Sequence, residues 1–261
     1  MTSGSRQRRQ VTVAILLLSA AAWVVLLVDT GSTTLAHCPV TDSGPSADSF
    51  WMLLEMNPTS SLAIGWAVML VAMMAPTLIA PIIHVLERSF TDRRGRAVVL
   101  FLLGYGAVWM FAGLFLIAAT IALTMLAPQS LFPALGVGIV AVIWQCSPLK
   151  QLCLNRSHNH RELAAFGIAA DLDSFRFGVT HGVWCVGSCW ALMLLPMLIS
   201  SGHFVAMALV TFVMVSERLE EARPLTWNIR FPGKLLRIVV ARCSIRLRRR
   251  SFDPFGTFRN F

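Results

Sequence analysis

Charged residues divide the chain into four uncharged runs, residues 11–28, 59–84, 97–149 and 177–216. Each run is apolar on all sides rather than along one stripe, the pattern of helices immersed in lipid or a large core. About 20 apolar residues cross a bilayer. The third run therefore holds two helices, broken at Ala127-Pro128-Gln129-Ser130, and the fourth holds two, broken at Ser200-Ser201-Gly202-His203. The pattern predicts an all-α integral membrane protein with six spans, at about residues 11–28, 61–84, 97–126, 131–147, 177–200 and 203–217. These spans form one transmembrane domain over residues 1–220, and a basic tail follows over 221–261.

Composition agrees: 56% of the residues are hydrophobic and 13% charged, against about a quarter charged in soluble domains. The net charge of +9 would suit nucleic acid if it were clustered on a soluble face, but Lys and Arg fall in alternate connections instead. Arg6, Arg8 and Arg9 precede the first span, Arg88, Arg93, Arg94 and Arg96 follow the second, and Lys150, Arg156, Arg161 and Arg176 follow the fourth. The segment from 29 to 58 has four acids and no Lys or Arg. By the positive-inside rule both termini are cytoplasmic, that loop is outside, and the protein is expected to be a multi-pass protein of the bacterial cytoplasmic (inner) membrane. No nucleic-acid partner is expected. The amino terminus shares features with a signal peptide, but its apolar core is long, so an uncleaved first span is the expectation.

Two further segments mix apolar and charged residues. Residues 164–177 fit a short helix lying on the membrane surface before the fifth span, and residues 224–250 fit a basic helix bound to anionic lipid. In the second span Pro76 and Pro81 interrupt the hydrogen-bond ladder and predict a kink or local unwinding. His158 and His160 are read as part of a solvated loop.

The chemistry concentrates in the fifth span. His181, Cys185, Cys189 and Met193 recur every four residues, so an imidazole, two thiols and a thioether lie near one helix face. Soft donors of this kind favour Cu(I), with zinc as second choice. Side chains four apart in a helix have Cβ atoms about 6 Å apart. Two sulfurs on one ion at about 2.3 Å each need a separation within about 4.6 Å, so Cys185 and Cys189 can clamp one ion. His181 and Met193 are about 18 Å apart along the axis and cannot share it. They are flanking ligands, and Met73 and Cys146 are candidate ligands from neighbouring spans.

A packing reading uses the same residues. Gly178 and Gly182 form a small-residue pair that lets another helix approach closely, and Cys185, Gly187, Ser188 and Cys189 extend it. Cys38 is the one cysteine expected outside, so the six cysteines do not read as a disulfide framework. No phosphate loop, nucleophile elbow or zinc-protease motif occurs, and a non-enzymatic role is favoured.

Four segments together carry a family resemblance: Ala72-Met73-Met74-Ala75-Pro76, Pro148-Leu149-Lys150-x-x-Cys153-Leu154, His181-Gly182-x-x-Cys185-x-Gly187-x-Cys189-Trp190-x-Leu192-Met193, and Glu217-Arg218. From Trp66 to Arg218 the chain resembles a bacterial family of predicted metal-binding integral membrane proteins. The resemblance implies a multi-span helical protein with a metal site. The family pattern has further cysteines where this chain has Ser157 and Ser188.

The leading expectation is a membrane protein that handles copper through Cys185 and Cys189. The alternative is a non-catalytic accessory subunit of a larger membrane complex, possibly a copper-dependent enzyme, docking through the Gly178/Gly182 surface and the basic tail. A thiol-redox enzyme is a third reading, disfavoured because Cys185 and Cys189 have three residues between them rather than the two of a Cys-x-x-Cys motif.

Overall fold

Each uncharged run folds as helix, and the breaks fall at prolines and glycines. The computed structural model describes residues 3–28, 59–127, 131–158, 163–164, 166–199, 202–222, 224–227 and 244, and among these the secondary structure is helical with no strand. Helix α1 spans Ser3–Val28 and α2 spans Thr59–Met74. A 3-10 turn, Ala75–Leu78, joins α2 to α3, Ile79–Arg88, and a second, Thr91–Arg93, leads into α4, Arg94–Leu126. Then come α5, Phe132–Cys146, α6, Pro148–His158, α7, Gly167–Leu198, and α8, His203–Arg218.

The unwinding expected at Pro76 is present as the first 3-10 turn. Pro76 has no N–H, so the Ala72 carbonyl loses its helical donor. Ser19 of α1 replaces it, its hydroxyl donating to Ala72 O at 2.7 Å, and Thr77 donates to Met74 O at 2.7 Å. In an apolar surround such replacement is obligatory.

Four stretches are long and apolar enough to cross a membrane: Ser5–Val28, Leu62–Arg88, Thr91–Leu126 and Gly167–Leu198. Helices α5 and α6 together make a fifth candidate, bent by 62° where Ser147 separates them and Pro148 starts α6. The 16-residue α8 is shorter than the about 20 residues a crossing needs. The described helices thus support four or five crossings of the six expected from the sequence.

Residues 164–177 do not form a separate surface helix. No proline stands between Gly167 and Leu195, and α7 runs for 32 residues with Pro196 in its last turn, about 48 Å at helical rise. Its early Asp171 receives Arg93 and Arg96, each at 2.6 Å, which ties this extension to the start of α4.

Helix α7 is central, packed against α4, α5, α6 and α8, most extensively against α4. Glycine makes that contact possible: a Cβ on Gly178 would stand 2.1 Å from Phe101 O, and one on Gly104 would stand 2.4 Å from Phe175 O. On the other side, Trp144 of α5 donates its indole N–H to Gly187 O at 3.0 Å, and Arg156 of α6 lies 5.4 Å from the centre of the Trp184 ring. These contacts hold the middle of α7 inside the bundle.

Candidate metal centre

Gly178, Gly182, Cys185 and Cys189 step by four, three and four residues, so they lie on one stripe of α7. The two glycines admit α4 at Phe101 and Tyr105. One turn further along, the same close approach sets α4 side chains against the thiols. Both cysteines are buried, with 1% and 4% of their surface exposed. The Tyr105 hydroxyl lies 3.4 Å from the Cys185 sulfur. The Cys189 thiol donates to Cys185 O at 2.9 Å, which turns it back toward the Cys185 turn of the helix. Packing face and thiol pair are therefore consecutive parts of one stripe.

Other polar groups converge here. The Arg218 guanidinium, from the end of α8, donates to Ser188 Oγ at 3.4 Å, and the Ser188 hydroxyl in turn donates to Cys185 O at 2.8 Å. The fully buried Trp109 indole N–H has no hydrogen-bond acceptor among the described residues. Beside this set lies a buried ion pair: Lys150 Nζ stands 2.9 Å and 2.7 Å from the two Glu217 carboxylate oxygens. Gln145 bridges the pair, donating to Glu217 and accepting from Lys150. Lys150, read from sequence as a loop charge, is completely buried. The bend at Ser147 turns α6 back so that its first turn packs inward rather than toward solvent.

The remaining candidate ligands are distributed around the pair. His181 is buried among Phe101, Tyr105 and Phe177, with ring centres 6.0 Å from each. Met193 and Met73 are fully buried and belong to the same cluster as the two cysteines, as do Met207 and Met214 of α8. Cys146 is half-buried at the last residue of α5, whereas Cys153 is the thiol packed on α7, 2.7 Å from where a Gly187 Cβ would be. Among the described residues no three His, Cys, Asp or Glu side chains are grouped to hold a metal ion. Cys185 and Cys189 are thus a pair, with no third His, Cys, Asp or Glu among the described residues grouped with them.

His158 is not in a solvated loop. It ends α6, with Nδ1 2.7 Å from Leu154 O and Nε2 3.1 Å from Arg218 O, and so joins the ends of α6 and α8. Cys38, His160, Cys243, the acidic 29–58 segment and nearly all of the basic tail lie outside the described residues. Ser157 and Ser188, which stand where the resembling family has cysteine, are both buried; Ser157 donates to Leu154 O, and Ser188 donates to Cys185 O and accepts from Arg218.

Tyr105, Trp109 and Arg218 were not among the expected site residues. Two signals pointed to them. Tyr105 is the chain's single tyrosine among 16 phenylalanines, an isolated hydroxyl in an uncharged run, and Arg218 closes the Glu217-Arg218 pair at the end of an apolar helix.

A family model described as PpoB2, copper chaperone, matches residues 63–239, about two-thirds of the chain. No match is found among curated proteins or among solved structures.

Proposed function

The chain belongs to that copper chaperone family, and from this premise we propose that it is a multi-span protein of the inner membrane that carries Cu(I) as cargo between the sulfurs of Cys185 and Cys189. One observation carries the reading: two buried thiols one turn apart on one face of α7, the second bonded to the carbonyl of the first and the pair closed in by α4. Thiolates favour Cu(I) over harder ions. Zinc prefers four ligands, and among the described residues no third His, Cys, Asp or Glu joins the pair.

His181 and Met193 lie one turn to either side of the pair, about 6 Å along the axis. They serve as handover ligands along α7, with Met73 and Cys146 as secondary ligands from α2 and α5. Arginine placement supports cytoplasmic termini, and the eleven basic residues from Arg218 onward support a tail held at anionic lipid. Helix α4 fills the space over Gly178 and Gly182, so the accessory-subunit reading would rest on the basic tail, nearly all of which lies outside the described residues.

The test is metal analysis of the full chain purified in detergent after copper loading. The wild type is expected to retain one copper per chain, and the double variant Cys185→Ser/Cys189→Ser essentially none. Unchanged copper in the double variant would sink the reading.

A further inference from the structure

We propose that Arg218 is the counter-cation of the metal-loaded thiol pair, and that its charge tunes the site to a monovalent soft ion. This rests on the reading of Cys185 and Cys189 as the cargo ligands.

The charge balance is simple. Binding Cu(I) to the two thiols releases both protons and leaves a two-coordinate bis-thiolate of charge −1, with no change in oxidation state. In a low-dielectric bundle that charge is costly unless a cation stands beside it. Lys150 cannot serve, since Glu217 already neutralises it at 2.7 Å. Among the described residues no carboxylate lies within ion-pair distance of Arg218, whose guanidinium is anchored on Ser188 Oγ at 3.4 Å, one residue from Cys189. The donors around Cys185 point the same way. The Tyr105 O–H, 3.4 Å from the Cys185 sulfur, can donate to it, and the Arg218 guanidinium is held on Ser188 Oγ, whose hydroxyl donates to Cys185 O at 2.8 Å. A neutral thiol is a weak acceptor and uses little of this capacity; a thiolate bound to a metal uses all of it.

Divalent ions fare differently. Two thiolates, one guanidinium and Cu(I) sum to zero, whereas the same groups with Zn(II) leave one positive charge. Zinc also lacks its remaining ligands here. The Glu217-Arg218 pair thus divides its labour: the carboxylate neutralises Lys150, and the guanidinium is kept for the cargo.

Cu(I) affinity is measured on the detergent-purified full chain by competition with a chromophoric Cu(I) chelator, and Zn(II) affinity with a zinc dye. Arg218→Gln is expected to weaken Cu(I) binding roughly 10- to 100-fold, the order that unit charges in contact contribute at an effective dielectric of about 20 after desolvation. Zinc binding is expected to be unchanged or tighter, and Arg218→Lys to keep Cu(I) affinity within about fivefold of wild type. Ser188→Asp gives the guanidinium a carboxylate in place of the cargo and is expected to weaken Cu(I) binding comparably, which decides the matter if Arg218→Gln does not fold. Wild-type Cu(I) affinity in a folded Arg218→Gln or Ser188→Asp protein overturns the proposal. If Cys185→Ser/Cys189→Ser abolishes copper binding while those variants leave it intact, this inference fails and the cargo site stands. If the double serine variant still binds copper, the cargo reading itself fails.

Discussion

Glu217 and Arg218 are consecutive residues at the end of α8, yet their surroundings are opposite in kind. Glu217 faces a buried Lys150 and a bridging Gln145, a closed group whose charges cancel. Arg218 donates to the hydroxyl of Ser188, one residue from Cys189, and forms no ion pair with a carboxylate among the described residues. The first arrangement is complete as it stands and serves the fold. On the proposed reading, the second is completed when the two sulfurs are metal-bound thiolates. Charge that is buried and already paired marks structure, and the half-buried guanidinium beside the thiols is the one the proposal assigns to the cargo.

That contrast can be broken most severely at the closed pair. Glu217→Ala leaves Lys150 buried without its partner and is expected to cost about 3–5 kcal/mol, read as a large drop in the thermal unfolding transition in detergent. A loss below about 1 kcal/mol would mean that water reaches Lys150 and the pair is not sealed. The double variant Lys150→Met/Glu217→Leu removes both charges and is expected to recover most of the loss, as replacement of buried pairs by apolar residues often does.

A smaller stability effect is expected next door. Arg218→Gln in the metal-free protein removes one long hydrogen bond and no ion pair, so it is expected to cost about 1 kcal/mol while copper retention falls. If the stability losses at 217 and 218 were equal, the distinction between a structural and a functional charge would fail. Ser188→Ala is the mildest probe: it removes the anchor of the guanidinium but not its charge. We expect Cu(I) affinity to fall by less than about fivefold and the unfolding transition to move little, checked by the same chelator competition and thermal scan.

Much of this was legible in the sequence because lipid-facing helices are written in composition and length. The runs around α1, α4 and α7, the breaks near residues 127 and 202 and the unwinding at Pro76 all follow from apolar length and from proline and glycine chemistry. The Gly178/Gly182 stripe and the Cys185/Cys189 pair were legible too, since both depend only on spacing within one helix. The separate helix expected at 164–177 was not found, because charge alternation at Asp171, Asp173 and Arg176 resembles a surface helix and does not reveal that Arg93 and Arg96 pin it in line with α7. Tyr105, Trp109 and Arg218 escaped for a different reason. Their place beside the thiols arises from contacts across three helices, which local periodicity does not encode. Lys150 was read as a loop charge because the 62° bend that carries it inward is a tertiary feature.

The central claim is that two sulfurs of α7 hold monovalent copper, and X-ray absorption at the copper edge of the loaded full-length protein tests it most directly. The account predicts copper in the +1 state, one per chain, with two sulfur neighbours that disappear together in Cys185→Ser/Cys189→Ser. A shell of nitrogen and oxygen without sulfur, or a spectrum that the double substitution leaves unchanged, would contradict it.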